Sequence, residues 1–194
     1  MKVVSLFFAM AVALALIVPV FASDSQGANS AQAMVHVRVF VNPNVAVSAV
    51  NQTVDAGAVQ TGNFTASIDF QVHANLQEVS FQVSASPLFK ANDPTQTIIA
   101  PIPLNLTAGA VIQPLNGNAT GGHSNTAAFT GTGPVVLGFP TWTTEVVQYS
   151  SAQASRFSQN VNVKVTWNQG DPELATGEYG GVVQLTALVL PIVP

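Results

Sequence analysis

Residues 34–41 read Met34-Val35-His36-Val37-Arg38-Val39-Phe40-Val41, and Asn42-Pro43-Asn44 follows. Valine recurs at positions 35, 37, 39 and 41. Successive side chains of an extended chain point to opposite sides, so the four valines share one face. This period predicts a strand with one apolar face, ended by the Asn-Pro-Asn interruption. The leader from Ser23 to Ala33 is polar and small, with no apolar anchor of its own. Two readings of the segment stand side by side: the first strand of a self-contained sheet, or a strand free to leave its own domain and lie in another.

The same period extends outward along the chain. Phe64, Ala66, Ile68, Phe70 and Val72 share a face, as do Val79, Phe81 and Val83 in a run ending at Ser86-Pro87. Val161, Val163, Val165 and Trp167 repeat it. Val135–Phe139 and Val146–Ser150 read as further strands. Thr97–Leu106, broken by Pro101 and Pro103, reads as an edge or kinked strand. Asn116 to Gly122 reads as a loop. Tyr179–Leu190 closes the chain as one long strand, apolar on both faces near its end, and such an edge aggregates unless another chain covers it. Helical periodicity is nearly absent, so no crossover helices separate the strands. An all-β antiparallel sandwich is expected, without internal repeats and without a linker that would divide it.

Composition narrows the chemistry. Only 7% of the 194 residues are charged, and cysteine is absent, which excludes a disulfide scaffold, a thiolate metal site and a cysteine nucleophile. A net charge of −4 with singly scattered Arg38, Lys90, Arg156 and Lys164 is the wrong pattern for neutralising phosphates, so nucleic acid is not an expected partner. His36, His73 and His123 show no H-x-H or H-E-x-x-H spacing, the acidic residues show no spacing that marks a carboxylate pair, and no phosphate loop or G-x-S-x-G elbow is present. An enzyme is therefore not expected, nor a cofactor or metal. Trp142, Trp167, Tyr149 and Tyr179 could stack on a sugar, although sheet packing explains them more simply. Asn51, Asn63, Asn105 and Asn118 match the glycan acceptor pattern, as chance allows in a chain rich in Asn and Thr.

Residues 1–22 open with Met1-Lys2 and run apolar to Pro19-Val20-Phe21-Ala22. A basic start, an apolar stretch and small residues at 20 and 22 read as a secretory signal peptide cleaved after Ala22; an uncleaved membrane anchor is the other reading. Four segments follow: signal 1–22, flexible leader 23–33, N-terminal strand 34–43 and sandwich domain 44–194.

Three stretches together support a family likeness. They are Val35-His36-Val37-Arg38-Val39-Phe40-Val41-Asn42-Pro43; Phe70-Gln71-Val72-His73-Ala74-Asn75 with Val79-Ser80-Phe81-Gln82-Val83 and Pro87-Leu88; and Gly177-Glu178-Tyr179-Gly180-Gly181-Val182-Val183-Gln184-Leu185. In this order the chain resembles the class 5, alpha-clade chaperone–usher pilins of the colonisation-factor-antigen type, major fimbrial subunits that lack cysteine. It departs from them in a longer leader and in the final Pro191-Ile192-Val193-Pro194.

The resemblance implies an immunoglobulin-like antiparallel sandwich lacking one strand and completed by donor-strand complementation. Val35, Val37, Val39 and Val41 would then be the donor residues, with His36 and Arg38 outward. Tyr179, Val183, Leu185, Ala187 and Val189 would line the groove on the strand that a chaperone pairs with first. The implied partners are identical subunits head to tail, a periplasmic chaperone, an outer-membrane usher and a tip adhesin. The implied location is an extracellular fimbrium reached through the periplasm, used for attachment. The alternative function is a self-contained secreted β-sandwich that binds a carbohydrate or a cell-surface ligand.

Overall fold

The computed structural model describes residues 34–115, 119–120, 126–153 and 156–188. The signal segment, the leader, His123 and Val189 lie outside them. The chain divides into two units, one ending at Asn42 and one running from Pro43 onward. In the first, residues 34–42 carry no regular structure, and Val35, Val37, Val39 and Val41 are 78–82% exposed.

The second unit is all-β, and its described residues form no helix. Its strands are β1 (Val45–Ala49), β2 (Gly62–Ala74), β3 (Glu78–Ala85), β4 (Phe89–Lys90), β5 (Ala110–Pro114), β6 (Ala119–Thr120), β7 (Thr126–Ala127), β8 (Phe129–Thr132), β9 (Trp142–Thr144), β10 (Val147–Ser151), β11 (Phe157–Gln169), β12 (Tyr179–Gly180) and β13 (Val183–Leu188). One sheet has the order β1-β2-β11-β5-β7. The other centres on β3, which pairs with β13 along one edge and with β10 and then β9 along the other; β6 flanks β10 and β8 flanks β9. A short third ladder joins β12 to β4. All pairings are antiparallel, and the two large sheets form a β-sandwich.

The alternating residues of β2, β3 and β11 build the core. β2 and β11 pair without a slip from Gly62↔Gln169 to Ala74↔Phe157. Val161, Val163 and Val165 are fully buried, and so are Val72, Val79, Phe81 and Val83. Aromatic contacts reinforce the packing: the Phe81 ring meets Phe157 at 5.6 Å and Tyr149 at 5.9 Å. The Tyr149 hydroxyl donates to Ile112 O at 2.5 Å, which ties β10 of one sheet to β5 of the other. One polar group departs from the pattern: Gln159 is buried in β11, and neither its Oε1 nor its Nε2 has a hydrogen-bond partner.

Several expected elements differ. The sandwich's first strand is β1, just past the interruption at Asn42-Pro43-Asn44, because Pro43 does not prevent a strand from starting two residues later. Val135–Phe139 is a tight turn rather than a strand: Val136 and Phe139 exchange backbone bonds of 3.0 and 2.9 Å around Leu137 and Gly138, whose φ values are 51° and 89°. Thr97–Leu106 makes only isolated bridges, Leu88↔Ile102 and Leu104↔Trp167. Within the expected loop 116–122, Ala119–Thr120 pairs with β10. The long C-terminal strand is broken at Gly181-Val182, leaving Tyr179 on β12 and Val183, Leu185 and Ala187 on β13.

Candidate functional site

The break before β13 has a steric cause. A Cβ on Gly181 would lie 2.5 Å from Ser86 Oγ, 2.7 Å from Pro87 O and 2.9 Å from Leu88 Cδ2, so only glycine lets the chain approach so closely. Ser86, fully buried, fixes the next residue: Val182 N–H donates to Ser86 Oγ at 2.9 Å, and Ser86 N–H donates to Val182 O at 3.0 Å. Trp167 Nε1 donates to Ser86 O at 2.9 Å. Sequence reasoning noted Ser86 only as the end of a strand; the available signal was a serine at the junction of an apolar strand and a proline.

From this anchor β13 runs against β3 in continuous register, Val183↔Ala85 to Leu188↔Ser80. Its other edge has no partner strand among the described residues. On the same side of the sandwich lies β1, from the opposite sheet, alongside β13 with no ladder between them. β1 covers β2 only from Phe70 to Ala74, and from Gly62 to Ile68 that edge of β2 has no partner strand among the described residues.

The result is an open apolar seam. Val45 and Val47 of β1, Ala66 and Ile68 of β2, and Val183 and Ala187 of β13 pack against the core yet stay only half-buried. Leu185 is buried, and Leu188 is 41% exposed. Neither β1, β13 nor β2 from Gly62 to Ile68 carries an ionisable side chain, so covering the seam desolvates no charge. What it offers chemically is unpaired backbone donors and acceptors beside apolar surface, the requirements for accepting an extended chain.

Of the residues expected in the groove, the structure brings Val183, Leu185 and Ala187 onto one strand. Tyr179 stands apart: it pairs with Lys90, and its hydroxyl donates to Ala175 O at 2.8 Å. Burial and the nearby Asp171 carboxylate both raise the Tyr179 pKa above the usual phenol value.

The other candidates do not converge. His36 is exposed, and His73 Nδ1 lies 2.7 Å from Ser158 Oγ. Among the described residues no three His, Asp or Glu side chains gather as a metal site would require. Trp167 stacks on Phe64 with ring centroids 5.9 Å apart and is buried, so it offers no face to a sugar; Trp142 is half-buried. Asp171-Pro172-Glu173 forms a turn in which Asp171 Oδ1 accepts from Glu173 N–H at 2.9 Å.

Comparison of the chain with protein-family models, with curated proteins and with solved structures returned no match.

Proposed function

We propose that the chain is a structural subunit of a surface fibre, completed by a strand from another copy of itself. The observation that carries this reading is the outer edge of β13, which has no partner strand among the described residues and lies over an uncharged and half-exposed apolar seam. The sheet orders support it: on this reading β1-β2-β11-β5 and β13-β3 would be the two sheets of an immunoglobulin-like sandwich, and the strand it lacks would lie beside β13.

Residues 34–43 of a neighbour would fill that position. Their backbone would pair with β13, and Val35, Val37, Val39 and Val41 would enter the seam at every second residue. Each valine contributes roughly 1.5–3 kcal/mol on full burial, before the cost of ordering the segment. His36 and Arg38 would stay outside. A head-to-tail contact of this kind does not close on itself, so repetition yields a filament. Until a neighbour arrives the edge needs a cover, which is the role of a periplasmic chaperone, with an outer-membrane usher for export and attachment as the fibre's task. The resemblance to alpha-clade pilins carries these partners.

The test is negative-stain electron microscopy and sizing of the full-length protein beside its Val37→Asp and Val39→Asp variants. Wild type should form fibres. Either variant should lower fibre yield at least about tenfold, because a carboxylate would enter an apolar site unpaired, while leaving the monomer's melting unchanged, since both valines are exposed. A wild-type chain that stays monomeric with a cooperative melt, or variants with wild-type fibre yield, would contradict the proposal.

A further inference from the structure

From Pro94 through Thr144 no residue is Asp, Glu, Lys or Arg. Within this uncharged stretch lies the tight turn at Leu137-Gly138. A left-handed φ of 51° is strained for leucine, and hairpin turns of this type favour Asn, Asp or Gly at that position. Leu137 is nevertheless held there with its side chain 85% exposed, and Val135 is 70% exposed. The base of the turn is fixed: Phe139 is buried against Phe89 at a centroid distance of 5.9 Å, and a Cβ on Gly138 would lie 3.9 Å from Pro94 Cγ. Strain that displays an apolar side chain on an anchored turn points to a contact.

The chain also carries a matching hollow. Pro101, Ile102, Pro103 and Leu174, with Gly170 and Asp171, line an apolar cleft of about 320 Å³, which has room for one branched aliphatic side chain with the tip of its turn. Its exposure means that Leu137 does not fill this cleft in its own chain. We infer that the Leu137 turn of one copy inserts into the Pro101–Pro103–Leu174 cleft of a second copy, as a contact separate from strand addition. This inference rests on the fibre reading in one respect: strand addition would hold copies close enough for a small contact to be occupied. A lipid surface is the less fitting occupant, because apolar tips that enter a membrane are usually accompanied by cations, and this stretch has none.

The absence of cysteine makes the test clean. Full-length Leu137→Cys and Pro103→Cys are prepared separately, mixed, oxidised mildly and resolved on a non-reducing gel, with the linked peptides identified by mass spectrometry and the same samples viewed by electron microscopy. The mixture should give a 137–103 link between copies at least tenfold above either variant alone. Leu137→Asp, which should melt as wild type does, should abolish the same association in sedimentation. Fibres without the 137–103 link overturn the contact and leave strand addition standing. A dominant 137–137 link overturns it, as does Leu137-dependent flotation of the wild-type chain with phosphatidylcholine vesicles. If no fibres form, the fibre reading fails; a 137–103 link in soluble dimers still supports the contact, and no link in that case overturns it.

Discussion

Two valine ladders of the same period meet opposite fates in this molecule. Val161, Val163 and Val165 on β11 are wholly buried, while Val35, Val37, Val39 and Val41 are 78–82% exposed. The first ladder lies on a central strand, flanked by β2 for thirteen paired residues on one side and by β5 on the other. The second lies in the unit that ends at Asn42, where the described residues 34–42 carry no strand. Alternation records that a segment is suited to having one face covered. Which chain supplies the cover is a matter of topology, and period two carries no information about it.

That contrast can be broken most forcefully from the core side. Val163→Asp should abolish the cooperative melt followed by circular dichroism, because burying a carboxylate without a partner costs an amount comparable with the roughly 5–15 kcal/mol by which such domains are stable. The same exchange at Val37 should leave the melt intact. Equal destabilisation by both would mean that the N-terminal valines are core residues of their own chain.

A smaller effect is expected where β13 begins. Gly181→Ala would force Ser86 Oγ and Pro87 O away from a Cβ placed 2.5–2.7 Å from them, destabilising the fold by about 1–3 kcal/mol in urea titration. An unchanged midpoint would show that the close approach is not needed to set the start of the open edge.

The smallest effect sharpens the description of the closed side. Burial pushes the Tyr149 phenol above its usual value of 10.0, so the folded state holds that proton more tightly than the unfolded state does. Stability from this group is therefore fully present below about pH 10 and is lost as pH rises through the raised value. Tyr149→Phe should remove this alkaline slope, at a loss of about 0.5–1.5 kcal/mol near neutral pH from the hydrogen bond to Ile112 O. An alkaline slope of the same size in the variant would assign it to another group, with Tyr179 the next to test.

Much of the fold was legible because β2, β3 and β11 are long and alternate strictly. The misreadings have local causes. Val135–Phe139 has strand-forming residues, but Pro134, Gly138 and Pro140 bracket a turn within them, and β propensity outweighed punctuation in the reading. β1, β5, β8 and β9 are five residues or fewer, too short for a period to stand out. In the candidate site, Val183, Leu185 and Ala187 were readable as one face of a strand. The Gly181-Val182 break, and with it the separation of Tyr179, was not, since it depends on the backbone around Ser86 and Pro87, almost a hundred residues away in sequence.

The central claim is that the outer edge of β13 receives the strand of another copy. Its most direct test is hydrogen exchange on the full-length Val37→Asp/Val39→Asp protein, with and without a synthetic peptide of residues 34–43. The account predicts that the peptide slows exchange at alternate amides from Val183 to Leu188 and raises the melting temperature, and that the peptide carrying Asp at positions 37 and 39 does neither. Unchanged exchange along β13, or protection confined to another strand, would contradict it.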